Sequence, residues 1–379
     1  MANDKNFKIK NGLLAGRYLG SNGTETAGSG PAYDLSVAEY DGVSFSVAAQ
    51  ESAPRGISFK PDGTKMYMVG QLGDDVNEYD LSTAWDISTA SFSQNFSVAA
   101  QEANPIGLFF KPDGTKMYVI GTTGDDVNEY NLSTAWDVST ASYLQNFSVA
   151  AQENAPIAVF FKPDGTKMYI CGFTGDDVNE YDLSTAWDIS TASFLQLFSV
   201  SAQDSLPTAL FFKSDGTKMY VLGDTNDNVN EYNLSTAWDI STASFNQTFY
   251  FGGQCGTAYG LFFKPDGTQM FISGQTPASI FSYSTVSYTQ TLDLSTGTTF
   301  SFTPSGATTV SLTNAPTSGK AVGFAVEING DGSAITWPTS VKWSGGVAPV
   351  ASASKELYAL VTTDGGTTYY GRKAAEELA

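Results

Sequence analysis

Among its 379 residues the sequence has no histidine and only two cysteines, Cys171 and Cys255. The first absence removes the side chain that most often serves as general base and metal ligand near neutral pH. The second argues against a disulfide-framed scaffold. Charge is scarce as well, at 15% of residues, and lopsided: 39 acidic against 19 basic, for a net charge of −20. Phosphate contacts need clustered Lys and Arg, so neither nucleic acid nor an anionic membrane suits this chain as a partner. The carboxylate surplus serves solubility at high local density. No run approaches the about 18–20 apolar residues of a membrane span, which argues against membrane insertion. The opening Met-Ala-Asn-Asp-Lys-Asn lacks an apolar signal-peptide core, which argues against secretion by that route. Gly-rich phosphate-binding phrases, a Gly-x-Ser-x-Gly elbow and histidine-based metal motifs are also missing. No cofactor is indicated. An enzyme would have to work through carboxylates or tyrosines with no evident focus, so the chain reads as non-enzymatic.

What the chain does have is a repeat. Lys-Pro-Asp-Gly-Thr-Lys-Met-Tyr stands at Lys111–Tyr118 and recurs at Lys60–Tyr67 and Lys162–Tyr169. Two looser copies follow: Lys213–Tyr220, with Ser214 for Pro, and Lys264–Phe271, with Gln269 for Lys and Phe271 for Tyr. The interval is 51 residues throughout, and a strict period of this length marks a repeat architecture. Each unit divides into four short β-prone stretches. The first is marked by Phe45, Phe96, Phe147, Phe198 and Phe249. An apolar strand such as Gly107-Leu108-Phe109-Phe110 leads into the Pro-Asp-Gly turn, and Lys-Met-Tyr-Val-Ile leads out of it. The last is Val-Asn-Glu-Tyr, at Val76–Tyr79 and its copies, with Ile280–Tyr283 in fifth place.

Four strands per 51 residues, parted by turn residues, describe a propeller blade, and radial closure protects the sheet edges. The expected fold is all-β. A five-bladed propeller occupies residues 33–285, and the strand at about 43–48 completes the last blade. Tyr33-Asp34-Leu35-Ser36 echoes Tyr79–Ser82 and reads as a degenerate sixth copy. Residues 1–32 form an extended anchoring arm in which Phe7, Ile9 and Leu13 alternate weakly. Residues 286–379 are rich in Thr, Ser and Gly, with some eight short strands that suggest a β-sandwich and a tail, Arg372–Ala379, expected to add a helical turn.

Asp62, Asp113, Asp164, Asp215 and Asp266 sit where a tight turn wants Asp, and are read as turn chemistry rather than catalysis. Gly-Asp-Asp-Val-Asn-Glu presents Asp74, Asp75, Asp125, Asp126, Asp176 and Asp177. Such pairs could hold a cation through oxygen ligands; a hairpin turn is the competing reading. Trp85, Trp136, Trp187 and Trp238 recur in Leu-Ser-Thr-Ala-Trp-Asp, whose Ser, Thr and Asp suit turns or one short helical turn. Equivalent indoles around a ring could stack on sugars, with avidity from their number; packing between blades is the competing reading. Cys171 stands where Ile120 does one unit earlier and reads as a buried apolar residue. It is not expected to pair with Cys255.

Asp-Gly-Thr-Lys-Met-Tyr-Val resembles the strand–turn–strand core of YVTN-type propeller repeats, which bears on fold alone. A second resemblance involves both ends. Asn6-Phe7-Lys8-Ile9-Lys10-Asn11-Gly12-Leu13 resembles the leader of structural proteins of marine tailed bacteriophages, cyanophages in particular. Ile335-Thr336-Trp337-Pro338, Trp343-Ser344-Gly345-Gly346 and Asp364–Gly371 resemble the β-rich terminal module of virion and tail-fibre proteins. The resemblance implies a non-enzymatic virion protein: a tail fibre, a head fibre or a capsid-decorating protein, assembled in the host cytoplasm. It further implies that the propeller is inserted between leader and module and projects for attachment or spacing. The implied partners are other virion proteins and sister subunits, trimers being common among phage fibres. The other reading is a lectin-like propeller that recognises host-surface glycans.

Overall fold

The computed structural model describes residues 32–286, 288–304, 307–317, 319–330, 334–350 and 352–375, and the backbone alone of Gly23–Ala27. Phe7, Ile9 and Leu13 lie outside the described residues. The chain divides into two compact units, one of residues 27–288 with 305–307, the other of 1–26 with 289–304 and 308–379.

The first unit is a five-bladed propeller of antiparallel four-stranded sheets. Its inner strands are Pro54–Phe59, Pro105–Phe110, Pro156–Phe161, Pro207–Phe212 and Ala258–Phe263. Each contacts the inner strand of the next blade, and the last contacts the first, so the ring is closed. These strands are nearly continuous apolar runs because both of their faces are covered. The second strands begin two residues after each turn glycine, at Lys65, Lys116, Lys167, Lys218 and Gln269, and the third run Asp75–Leu81, Asp126–Leu132, Asp177–Leu183, Asn228–Leu234 and Ala278–Ser284. Four outer strands, Ala90–Ser97, Ala141–Ser148, Ala192–Ser199 and Ala243–Tyr250, follow in sequence. The fifth is Glu39–Ser46, which pairs with Ala278–Ser284. The N-terminal strand therefore closes the last blade, as the strand count predicts, and starts four residues earlier than expected.

The Tyr33–Ser36 echo is not a sixth blade. Tyr33 adopts φ 66°, like Trp85 at 67°, and its N–H donates to Gly267 O at 2.8 Å as that of Trp85 does to Gly63 O at 3.0 Å. Asp34 caps a short 3-10 turn at Leu35–Val37, as Asp86 caps Ile87–Thr89. The segment is the Trp-Asp-Ile-Ser module of the fifth blade, supplied from the N-terminal side with Tyr in place of Trp.

The second unit holds two sheets. One orders Thr299–Phe302, Val322–Asn329, Lys355–Thr362, Tyr369–Ala375 and Val341–Trp343 side by side; the other orders Gly23–Ala27, Tyr288–Asp293, Thr308–Thr313 and Ile335–Thr336. Leu292, Val310, Phe300, Phe324, Val326, Tyr358 and Leu360 pack into a shared core drawn from both, the sandwich-like module that the composition suggests. One expectation changes. The described part of the tail is strand rather than a helical turn, because Tyr369–Ala375 pairs with Lys355–Thr362. The end of the arm, Gly23–Ala27, joins the C-terminal sheet of its own chain.

Candidate functional site

One face of the propeller carries the Pro-Asp-Gly turns and the Trp loops. In each turn a lysine pairs with the turn aspartate, as in Lys60–Asp62, Lys111–Asp113 and Lys162–Asp164, all at 2.7 Å. Burial pushes these carboxyls upward, but hydrogen bonds from that lysine and from the Thr two residues on prevail and hold Asp62, Asp113, Asp164 and Asp215 at about 2. The turn glycine has φ near 74°, and a Cβ there would run into the indole that lies across it. Each indole is also stacked on a phenylalanine of its own blade: Trp85 on Phe59, Trp136 on Phe110, Trp238 on Phe212 and, tilted, Trp187 on Phe161, with centroids 5.4–5.6 Å apart. The backbone carbonyls of Trp136, Trp187 and Trp238 accept from the hydroxyls of Tyr67, Tyr118 and Tyr169 in the preceding blade. Trp136 and Trp238 are 9% exposed, Trp85 and Trp187 half-buried. The four indoles are thus structural wedges, each held between its turn glycine and a phenylalanine of its own blade.

On the opposite face, the link between outer and inner strands carries Gln50, Gln101, Gln152, Gln203 and Gln254, and in four units the next residue is a buried acid, which the motifs do not single out: Glu51, Glu102, Glu153 and Asp204. Glu102 accepts from the N–H groups of Asn104, Thr123 and Gly124 at 2.8, 3.1 and 3.3 Å, tying the link to the adjacent hairpin. Cys255 takes this position in the fifth unit and is buried, as is Cys171; both are free thiols, and burial pushes that of Cys255 up to about 12. Asp75, Asp126 and Asp177 are buried beside this ring, each accepting from an asparagine two residues on. Burial raises all three carboxyls. Asp74, Asp125 and Asp176 take left-handed turn positions at φ near 50°, and each keeps one buried carboxylate oxygen without a partner. Among the described residues, no group of three or more acidic or cysteine side chains is arranged to hold a metal ion.

Between blades runs a polar strut. Buried Glu78 accepts from Lys65 and from Gln94 at 3.0 Å, and Gln94 also donates to Asp137 of the next blade at 2.8 Å. Glu129, Glu180 and Glu231 repeat the strut. At the seam between the last and first blades the equivalents are Gln269 and Ser282, and Phe271 lacks the hydroxyl of its Tyr counterparts. These smaller or uncharged groups leave a pocket of about 320 Å³ lined by Asp41, Trp85, Asp86, Lys264, Gln269 and Ser282. Two carboxylates, an amide, an amine, a hydroxyl and an indole edge form a hydrogen-bonding set suited to a polyhydroxylated ligand. This pocket depends on departures from the repeat, so the period itself gives no sign of it.

On the Trp face the inner strands surround an apolar cup of about 210 Å³. Phe109, Phe160, Phe211 and Phe262 line it, packed edge to face in sequence with centroids 5.2, 5.4 and 5.6 Å apart. At the opposite mouth of the seam the Arg55 guanidinium lies 3.7 Å from the centre of the Tyr259 ring and donates to Gln275 and Gln71.

No protein-family model and no curated protein matches the chain. Among solved structures it is similar to a putative 6-phosphogluconolactonase from Bacteroides uniformis ATCC 8492, with 13% identity, 60% of this chain and 65% of that chain covered, and a TM-score of 0.40. It is likewise similar to hydrazine synthase of Kuenenia stuttgartiensis, with 16% identity, 59% and 56% covered, and a TM-score of 0.38. A functionally unknown protein from Desulfotomaculum acetoxidans DSM 771 matches at 8% identity over 58% and 62%, with a TM-score of 0.37. The chain thus spans less than two thirds of each of these structures, and likeness at this level carries no argument about activity.

Proposed function

We propose that the chain is a non-enzymatic structural protein of a bacteriophage particle (a tail fibre, head fibre or capsid-decorating protein) that carries its propeller as a head for attachment or spacing. One observation carries this reading. The strand before the propeller, Gly23–Ala27, and the strands after it, beginning with Tyr288–Asp293, belong to one sheet of one unit. The propeller is therefore inserted into a unit built from both sides of the chain, an arrangement that suits a base bearing a displayed domain. The resemblance of the leader and the terminal module to virion proteins supports the same assignment. The repeated acids and lysines of the propeller add to it, because turns, links and struts engage them. The base and the arm would contact other virion proteins and sister subunits. Mass spectrometry of purified particles tests the proposal: the chain should appear in fixed stoichiometry with capsid or tail proteins, and its absence would reject a virion role.

The seam pocket favours a second reading, recognition of host-surface glycans, through Asp41, Asp86, Lys264 and Gln269 with the edge of Trp85. A glycan array probed with multivalent protein should then give hits that a Gln269→Ala variant loses. A blank array at high valency would dismiss it.

A further inference from the structure

The cup on the Trp face breaks its own symmetry at a single position. Phe109, Phe160, Phe211 and Phe262 pair across their sheets with Tyr118, Tyr169, Tyr220 and Phe271, and Ser58 holds the same register place opposite Tyr67. Four phenyl rings and one hydroxyl thus line the cup at this level. In the complete parts of the ring each phenyl also packs on the following blade: Phe109 on Phe161, Phe160 on Phe212, and Phe262 on Phe59, with centroids 5.1–5.4 Å apart. Each further stacks over an indole, Phe109 over Trp187, Phe160 over Trp238 and Phe262 over Trp85, at 6.3–6.5 Å. Phe110 and Trp136 are the residues that lose these partners, because Ser58 is too short to reach them. The side-chain hydroxyl of Ser58, a residue only 7% exposed, has no protein partner among the described residues. The result is a notch where one phenyl ring is missing, open to the cup, bordered by Phe109, Phe262, Phe110 and Trp136, with the Ser58 hydroxyl at its base.

We propose that this notch is a binding site for a small monocyclic aromatic molecule bearing one hydrogen-bonding substituent, of the phenol class. The ligand ring takes the place of the missing phenyl. It meets Phe109 and Phe262 edge to face and stacks over Trp136, the geometries that aromatic pairs prefer. Its hydroxyl meets Ser58 Oγ, which lines the cup and offers one hydrogen bond. The space called for is that of one phenyl side chain, the group that the other four repeats place here, and it opens into a cup of about 210 Å³. Apolar area of one ring, converted at the usual return, corresponds to a dissociation constant of about 1 mM. The inference is independent of the virion assignment.

The test uses the full chain with phenol and benzene as probes, measured by titration calorimetry, with 4-fluorophenol followed by fluorine NMR. Phenol should bind with one-to-one stoichiometry. Ser58→Phe, which installs the residue of the other four repeats, should abolish binding and raise the melting temperature. Ser58→Ala keeps the notch and removes the hydroxyl, so phenol should weaken several-fold while benzene is unchanged. The Ala variant keeps the test decisive if the larger side chain impairs folding. No phenol binding at 10-fold above about 1 mM, or binding that survives Ser58→Phe in a folded protein, would overturn the proposal.

Discussion

Replacing Glu102 by alanine probes what holds the links between blades. Its carboxylate is fully buried and accepts three backbone N–H groups, from Asn104, Thr123 and Gly124. Hydrogen bonds to a charged acceptor contribute about 1.5–3 kcal/mol each, and a buried donor left alone costs about 1–3 kcal/mol. Three such bonds set the upper end, but Thr123 and Gly124 are exposed residues whose N–H groups water can partly recover. The expected loss is about 2–4 kcal/mol. For a propeller of this size it appears as a melting temperature lower by about 5–15 °C. Glu102→Gln keeps one acceptor oxygen and should lose about half as much. Urea unfolding followed by tryptophan fluorescence gives the midpoint, and calorimetry gives the melting temperature. A loss below about 1 kcal/mol for the alanine variant would refute the reasoning, as would equal losses for alanine and glutamine.

Three further outcomes follow from comparing blades. In the first blade Asn95 donates to Asp75 across the outer strand, whereas in the third blade Leu197 stands opposite Asn179, whose side-chain oxygen lacks a partner. Leu197→Asn should therefore stabilise by about 0.5–1.5 kcal/mol in urea titration; Leu197 is 52% exposed, so little apolar burial is given up. Gly114→Ala forces a side chain into φ +74° and against Trp136, and should destabilise by about 2–4 kcal/mol, read as a lower urea midpoint. In acid, Asp62, Asp113, Asp164 and Asp215 sit at about 2 when folded against about 3.9 unfolded. Their contribution is complete above about pH 4 and lost as pH falls towards 2. Asp75, Asp126 and Asp177 have raised folded values, so protonating them favours the fold as pH falls. Melting temperatures should hold or rise slightly down to about pH 4 and then decline, and a steady decline beginning near pH 6 would contradict this balance.

The period of 51 residues carries the architecture because a blade is a local unit: turn, strand and link each recur with the same chemistry, and closure follows from counting strands. Tyr33 shows where matching by letters goes astray. Tyr33-Asp34-Leu35-Ser36 aligns by identity with Tyr79–Ser82, yet it packs as Trp85–Ser88, because the outer strand of the last blade carries an irregularity between Tyr40 and Ser44 that shifts the spacing. Glu51, Glu102, Glu153 and Asp204 had a sequence signal, an acid after four of the five link glutamines, with Cys255 in the fifth unit. That signal says nothing of burial, which depends on the hairpin above. The two pockets were illegible for another reason. The seam pocket arises from Gln269 and Ser282, and the notch from Ser58; these are departures from the repeat, and their meaning depends on which blades the ring sets side by side.

Closing the ring with Glu39–Ser46 also sets an order of events during synthesis. This strand leaves the ribosome first, yet its partner, Ala278–Ser284, comes some 240 residues later, an interval of roughly 12–50 s at roughly 5–20 residues per second. Throughout that time Phe45 and the hydrogen-bonding edge beside it have no native place, and four complete blades wait as an open arc with two bare flanks. A pairing of such sequence separation forms slowly. The seam is therefore the natural point for this protein to exchange Glu39–Ser46 with a neighbouring chain when many copies are made together.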